Sequence, residues 1–234
     1  MKKHVFSLIL LLVLLGTLLA TIPSPGAQTK EANISFSTSG MGGTFYVAGT
    51  AIASLVSSKV KGLKMTAEVT KGVVENARLL ATGQTDIGFL YGSTAYNLTR
   101  GLKEFKDQKY VDLRAVVFIH TGALNFISLE KTGIQTLDDL SGKKVSIGPK
   151  GSGSAAEAED FLKTIGLFEK INIRNLSFND SAASLRDGHI DAFVIGGTTP
   201  VPVLLELEAT HKVVFIPVDS ARIKKFLEER PYHV

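Results

Sequence analysis

Apolar positions along the chain fall into short runs that alternate with segments of helical spacing. The runs are rich in β-branched and aromatic residues and are bounded by glycine, proline or aspartate, as buried strands are. They predict strands at residues 34–38, 65–70, 86–90, 114–119, 124–129, 145–148, 173–178, 192–195 and 213–217. The intervening segments predict helices at residues 44–58, 74–81, 93–100, 137–140, 154–164, 182–187, 201–208 and 221–229. Alternation of this kind indicates an α/β protein with largely parallel sheets.

The first residues have the pattern of a secretory signal. A basic start, MKK, precedes a mostly apolar run at residues 5–20, and the small residues Ser24 and Gly26 suit a cleavage site. Residues 1–26 are therefore predicted to be a Sec-type signal peptide that is removed, with the mature chain in the periplasm. The alternative is an uncleaved membrane anchor, for which the apolar run is somewhat short.

Two patterns occur twice in the remaining chain. The pattern L-x-x-G-x-x-D followed by a buried strand occurs at residues 80–86 and again, about one hundred residues later, at residues 185–191. A glycine-rich strand-to-helix loop precedes each copy, at residues 39–44 and 148–154. A solenoid would show shorter and more numerous repeats, so the duplication indicates two similar α/β lobes.

These repeats place the domain boundaries. Residues 27–119 are predicted to form the N-terminal part of lobe 1, and residues 120–217 to form lobe 2. Residues 218–234 are predicted to begin a return to lobe 1 that is cut short. An incomplete first lobe would expose apolar surface, bind ligand poorly and exchange its amide hydrogens faster than lobe 2.

The glycine loops do not match the known nucleotide-binding or hydrolase motifs. Phe45 stands where the third glycine of a dinucleotide fingerprint belongs, and the second loop lacks the Gly-Lys-Ser/Thr ending of a P-loop. Neither loop contains Gly-x-Ser-x-Gly. Glycines followed by hydroxyl residues at a helix start can instead hold an anion through backbone N–H groups. The alternative is that both loops are ordinary tight turns with helix caps.

Composition removes several other classes of protein. The chain has no cysteine, which excludes thiolate metal sites and disulfides. Its formal net charge of +4 includes two lysines of the predicted signal, and no basic cluster suggests a nucleic acid partner. The scattered residues His120, His189, His211 and His233 lack metal-ligand spacing, so no metal, cofactor or catalytic histidine is expected.

Asp86 and Asp191 are the residues that an enzyme would use on such a scaffold. As a pair of carboxylates they are conceivable acid and base groups in a periplasmic enzyme. Their position just after a glycine turn favours a structural role instead, in which each caps its turn. The chain is therefore predicted not to be an enzyme.

Several short segments resemble a known receptor family when taken in order. They are GGTFY at residues 42–46, VEN at 74–76, L-L-x-x-G-x-x-D at 79–86, GSGS at 151–154, G-x-I-D-A-F at 188–193 and GG at 196–197. This set resembles the TAXI family, the extracytoplasmic solute receptors of TRAP transporters. The resemblance implies a two-lobed periplasmic binding protein-like fold with a ligand cleft between the lobes. It also implies a monomer that captures a small organic acid, glutamate-like or a dicarboxylate, for a TRAP permease.

The candidate ligand-binding residues are glycines, hydroxyl-bearing and aromatic residues and one asparagine near the helix starts. They are Gly43, Thr44, Phe45, Tyr46, Asn76, Tyr91, Ser93, Ser152, Gly153, Ser154, Gly197 and Thr198. Helix-start N–H groups would hold carboxylates, and tyrosines would cover the hydrocarbon part of the ligand. For the aromatic residues the alternative is packing under a loop, and for Asn76 it is capping of its own helix.

The chain departs from the family pattern at three places. It has Tyr91-Gly92-Ser93 where the family shows Gln-Ser-Asp, and its proline at residue 200 is shifted by one position after Gly197. It also ends at residues 230–234, where family members continue into the first lobe. The first departure leaves the ligand open, and an ABC-type receptor for an oxyanion is the alternative binding function.

Overall fold

Strands and helices alternate along residues 31–228 and residue 230, which are the residues that the computed structural model describes. The strands are β1 (Ala32–Ser37), β2 (Leu63–Glu68), β3 (Ile87–Gly88), β4 (Ala123–Leu129), β5 (Lys144–Ser146), β6 (Asn172–Arg174), β7 (Ala192–Gly197) and β8 (Val213–Ile216). The α-helices are α1 (Thr44–Lys59), α2 (Val73–Ala81), α3 (Gly92–Arg100), α4 (Gly153–Thr164), α5 (Phe178–Arg186), α6 (Pro202–Glu208) and α7 (Ser220–Leu227). The predicted α/β class is confirmed.

The strands form two separate sheets. The first has the order β2-β1-β3, with β1 and β3 parallel, and the second has the order β6-β5-β7-β4-β8. In the second sheet β5 is parallel to β6 and β7, but β4 is antiparallel to both β7 and β8. The prediction of largely parallel sheets is therefore wrong for β4. The chain enters β4 from an irregular segment, without the crossover helix that makes successive strands parallel.

Alternation along the central strands explains why the second sheet has helices on both faces. Phe126 of β4 and Val194 of β7 belong to the apolar cluster under α4, whereas Ile127 and Phe193, their neighbours in the chain, belong to the cluster under α5 and α6. All four side chains are buried. Because successive strand residues point to opposite faces, one sheet supports two cores.

Side-chain caps set where two helices of this sheet begin. The Ser177 hydroxyl accepts a 3.1 Å hydrogen bond from Asp180 N, so α5 starts at Phe178. The strand predicted at residues 173–178 is correspondingly too long, since β6 ends at Arg174. Ser152 caps α4 in the same way, by accepting from Ala155 N at 3.0 Å. Such caps satisfy helix-start N–H groups that have no partner within the helix.

The strand predicted at residues 114–119 is absent. Residues 106–122 contain no strand or helix, and Val116 and Phe118 are 80% and 76% exposed. Apolar β-branched residues favour a strand only where a neighbouring strand supplies hydrogen bonds. None of the described strands pairs with this segment. At residues 137–140 only a 3-10 turn, Asp138–Leu140, replaces the predicted helix.

We call the first sheet with α1–α3 the first lobe, and the second sheet with α4–α7 the second lobe. From Asn33 onward the described residues form one compact unit, so the two lobes are in contact. Helix α7 packs on α4 of the second lobe, with the rings of Phe161 and Phe226 5.3 Å apart. The predicted signal at residues 1–26 lies outside the described residues. Within those residues no helix has the length and apolar character needed to cross a membrane.

Candidate functional site

The loop before α4 lies against the start of α2 in the other lobe. Glu75 N donates a 3.1 Å hydrogen bond to Gly151 O, which links the two segments through their backbones. Gly72 has φ +126°, and a Cβ there would lie 3.2 Å from Ser152 Cα. A side chain at residue 72 would therefore be strained and would push the lobes apart.

Tyr91 fills the space in front of the first residues of α4. A Cβ at Gly153 would overlap the Tyr91 ring, and one at Gly196 would lie 2.6 Å from Tyr91 Oη. The Tyr91 hydroxyl is hydrogen-bonded to the Ser154 side chain, whose oxygen also accepts from Gly196 N at 2.7 Å. Burial raises the pKa of Tyr91 far above its usual range, and the nearby Glu157 carboxylate acts in the same direction. Tyr91, Gly153 and Ser154, all predicted site residues, thus lie together.

The start of α1 meets the second lobe in a similar way. A Cβ at Gly42 would overlap Asn179, and one at Gly43 would lie 3.5 Å from Phe178 Cε2, so the loop lies on the start of α5. A Cβ at Gly197 would lie 3.0 Å from Thr44 Oγ1. Both glycine-containing helix starts therefore contact the opposite lobe, and the glycines are what allows the close approach.

Two predicted aromatic residues follow the first loop. The Phe45 ring stacks on Phe89 at 4.5 Å and on His120 at 5.4 Å, and it is tilted against Tyr91 at 5.8 Å. Phe45 therefore belongs to an aromatic cluster that connects the loop to the chain crossing at His120. Tyr46 lies half-buried one residue further along α1.

Asn76 is fully buried inside the first lobe. Its Nδ2 donates to the backbone oxygens of Thr38 at 2.8 Å, Phe89 at 2.9 Å and Ser37 at 3.3 Å. Its Oδ1 accepts from Thr70 Oγ1 at 2.7 Å. The side chain holds together the carboxyl ends of two parallel strands, which is the structural alternative for this residue.

The remaining predicted residues are Ser93 and Thr198. Ser93 lies in the first turn of α3, and its hydroxyl donates to Glu157 Oε1 across the lobe contact at 2.7 Å. The Thr198 hydroxyl donates to Thr121 O at 2.7 Å and lies 2.6 Å from His120 Nδ1. Thr198 is therefore attached to the chain crossing between the lobes, away from Tyr91.

Glu157 and Asn179 lie in the lobe contact but were not singled out from the sequence. Burial raises the pKa of the Glu157 carboxyl, although the hydrogen bond from Ser93 opposes this shift. Glu157 follows Ser154 by three residues on α4, and this spacing puts both side chains on one helix face. That spacing is the signal that would have found it.

Asp86 and Asp191 play the same structural part in their two sheets. Asp86 Oδ2 accepts from Ser35 N at 2.7 Å, and Asp191 Oδ2 accepts from Lys144 N at 2.7 Å. Each carboxylate thus holds the beginning of the neighbouring parallel strand. The backbone and hydroxyl hydrogen bonds from Ser35 lower the pKa of Asp86. The repeated sequence pattern corresponds to a repeated hydrogen-bond arrangement, away from the Tyr91 contact.

Two surface pockets lie in the second lobe, and neither includes a predicted site residue. One of about 190 Å³ lies between α5 and α6, and one of about 430 Å³ lies beside Pro200 and Phe215. Within residues 31–228 and residue 230, no group of three histidine, aspartate or glutamate side chains is placed to hold a metal ion. The glycine loops therefore remain the candidate site.

Solved structures with the same fold are solute-binding proteins by their descriptions. A protein of Bordetella bronchiseptica RB50 matches with a TM-score of 0.56 and 22% identity, over 85% of this chain and 60% of that one. The alkanesulfonate-binding protein SsuA from Xanthomonas axonopodis pv. citri, bound to MOPS, matches with a TM-score of 0.51 and 19% identity, over 78% and 60%. A substrate-binding protein of an ABC uptake transporter from Streptococcus pneumoniae, with bound histidine, gives 0.52, 17%, 84% and 84%. The two-lobed periplasmic binding protein fold is thereby confirmed.

The extent of these matches defines what the chain includes. It spans 60% of the length of the Bordetella and Xanthomonas proteins. A family model described as the NMT1-like family matches residues 36–234, which is most of the chain. Together with the two glycine-loop lobes, this match shows that the chain belongs to the NMT1-like family.

Proposed function

We propose that this protein is an extracytoplasmic solute-binding receptor that captures a small organic acid between its lobes. The ligand is glutamate-like or a dicarboxylate, and the receptor delivers it to the membrane subunits of a TRAP permease. The protein acts as a periplasmic monomer of the TAXI type, without cofactor and without catalysis. Family membership and the binding protein fold support this function.

One observation carries the proposal: the glycine-containing helix starts of the two lobes face each other's lobes. Helix α1 begins without a side-chain cap, and neither α1 nor α4 has an acidic residue in its first turn. The positive ends of both helix dipoles are therefore left without a carboxylate of the protein. A small acid with one or two carboxylates would replace the contacts that these helix starts now make with the other lobe.

Ligand capture requires the lobes to separate first. Tyr91 and Ser154 occupy the front of α4, and Asn179 and Phe178 occupy the front of α1. A two-lobed receptor that opens at its hinge would expose both helix starts to the solute and then close on it. The hydroxyls of Thr44, Ser152 and Ser154 would accompany the N–H groups as donors.

The direct test is mass spectrometry of the small molecules released when the purified protein is denatured. A carboxylic acid at one equivalent per chain supports the proposal, and calorimetry with that acid should give tight one-to-one binding. Gly43→Ala should weaken binding because its Cβ would lie 2.7 Å from Ser39 Oγ at the helix start. Gly40→Ala is the matched control in the same loop, where a Cβ has only Thr70 O at 3.9 Å. Equal affinities in the two variants would count against this loop as the site.

An ABC-type receptor for an oxyanion is the second candidate. The similarity in fold to SsuA bound to MOPS favours it, because a sulfonate also suits helix-start N–H groups. Release of a sulfonate, sulfate or phosphate in the same experiment would select this function. A periplasmic enzyme is disfavoured, since Asp86 and Asp191 are both engaged by neighbouring strands.

A further inference from the structure

A buried carboxyl group lies in the contact between the lobes. Glu157 of α4 receives the Ser93 hydroxyl of α3 at 2.7 Å, and Ser93 is only 9% exposed. Ala156, the preceding residue of α4, packs on the apolar cluster of the first lobe. Separation of the lobes would therefore bring the Glu157 carboxyl from an apolar contact into water.

The surroundings of Glu157 contain more negative than positive charge. Asp160 on its own helix and Glu104 of the 3-10 turn Lys103–Phe105 oppose its ionisation, and Lys103 favours it. Lys103 is itself in a 2.7 Å ion pair with Asp160. The phenol of Tyr91 is the other titratable group nearby.

Helix α2 also packs against α4, but its charged groups have partners elsewhere. Glu75 is paired with Lys71, and the Arg78 guanidinium lies over the Phe105 ring, 5.7 Å from its centroid. The Ser93 hydroxyl is thus the group that hydrogen-bonds Glu157 across the lobe contact. Burial and the acidic neighbours together raise the pKa of this carboxyl.

We propose that Glu157 and Ser93 form a proton-dependent latch between the lobes, which the protonated carboxyl keeps closed and its ionisation releases. The physical reason is that an ionised carboxylate loses hydration in the closed contact, whereas the neutral acid loses little. Closure takes up a proton at this group, so the closed population falls as pH rises. This inference rests on the proposed function, because lobe separation is the step that admits and releases solute.

The test uses a distance between the lobes in ligand-free protein. The chain has no cysteine, so Lys59→Cys at the end of α1 and Glu208→Cys at the end of α6 can carry spin labels without background. Pulsed electron resonance should show a longer distance as pH rises, with the ratio of open to closed changing by at most about tenfold per pH unit. Glu157→Gln should keep the short distance at every pH.

Glu159→Gln is the matched control on the same helix. Glu159 is exposed and paired with Lys163 at 2.6 Å, so its variant should retain the pH dependence of the labelled parent. The latch is wrong if Glu157→Gln retains that dependence, or if the parent shows none while circular dichroism reports a folded chain. Mass spectrometry of bound solute is scored separately. A solute with a pH-independent distance removes the latch alone, and a pH-dependent distance without a solute removes the receptor function.

Discussion

The ring of Tyr91 lies directly on Gly153, so that a Cβ at Gly153 would come within 2.7 Å of Tyr91 Cδ2. Val73 of the first lobe is equally close to this position. The absence of a side chain at residue 153 is therefore what allows the first lobe to pack on the start of α4.

Gly153→Ala should destabilise the protein by about 1–3 kcal/mol through overpacking of this contact. Urea denaturation gives the free energy of unfolding. Tyr91→Ala should relieve the overlap, so Gly153→Ala should cost clearly less in the Tyr91→Ala background. If the two effects simply add, the contact between residues 91 and 153 does not exist in solution.

Asn76→Ala should lower the free energy of unfolding by about 2–4 kcal/mol, because it leaves the buried oxygens of Thr38 and Phe89 without a donor. Asn172→Ala is the control, since Asn172 is exposed and donates only to Gly142 O. Its effect should be below about 1 kcal/mol. A stable Asn76→Ala protein that has lost ligand affinity would instead assign Asn76 to the ligand.

Stability should fall at alkaline pH because of Tyr91. Its pKa in the folded protein is raised by burial, whereas an unfolded tyrosine has a pKa of about 10. The stabilisation is therefore complete below about pH 10 and is lost as pH rises, since the unfolded chain releases its proton first. Between about pH 10 and pH 11 the parent should lose about 1.4 kcal/mol relative to Tyr91→Phe. Parallel stability curves for parent and variant would show that Tyr91 is accessible to water.

Asp86→Asn and Asp191→Asn should each reduce stability and leave solute binding unchanged, because each carboxylate holds a neighbouring strand. Thermal denaturation measures the first effect and calorimetry the second. Ser35→Ala removes only the hydroxyl that donates to Asp86 at 2.9 Å, so its effect should be smaller than that of Asp86→Asn. Hydrolysis or isomerisation of an organic acid that both variants lose would revive the enzyme hypothesis.

The α/β class and most of the elements could be predicted from sequence, because local chemistry determines them. Helix α1 begins within one residue of its predicted start, after Gly43, and the aspartate after Gly83 begins a strand in each repeat. Hydrophobic alternation in β7 likewise predicts a strand that is buried on both faces. Such signals depend on a few neighbouring residues, so they survive without knowledge of the fold.

Tertiary structure alone decided the strand pairing and the use of the site residues. The apolar segment at residues 114–119 has strong β propensity, but a strand needs a partner that the segment itself does not contain. The buried position of Asn76 and the meeting of Ser93 with Glu157 depend on residues 13 to 64 positions apart in the chain. Contacts at such separations are set by how the sheets and helices pack, which no local pattern records.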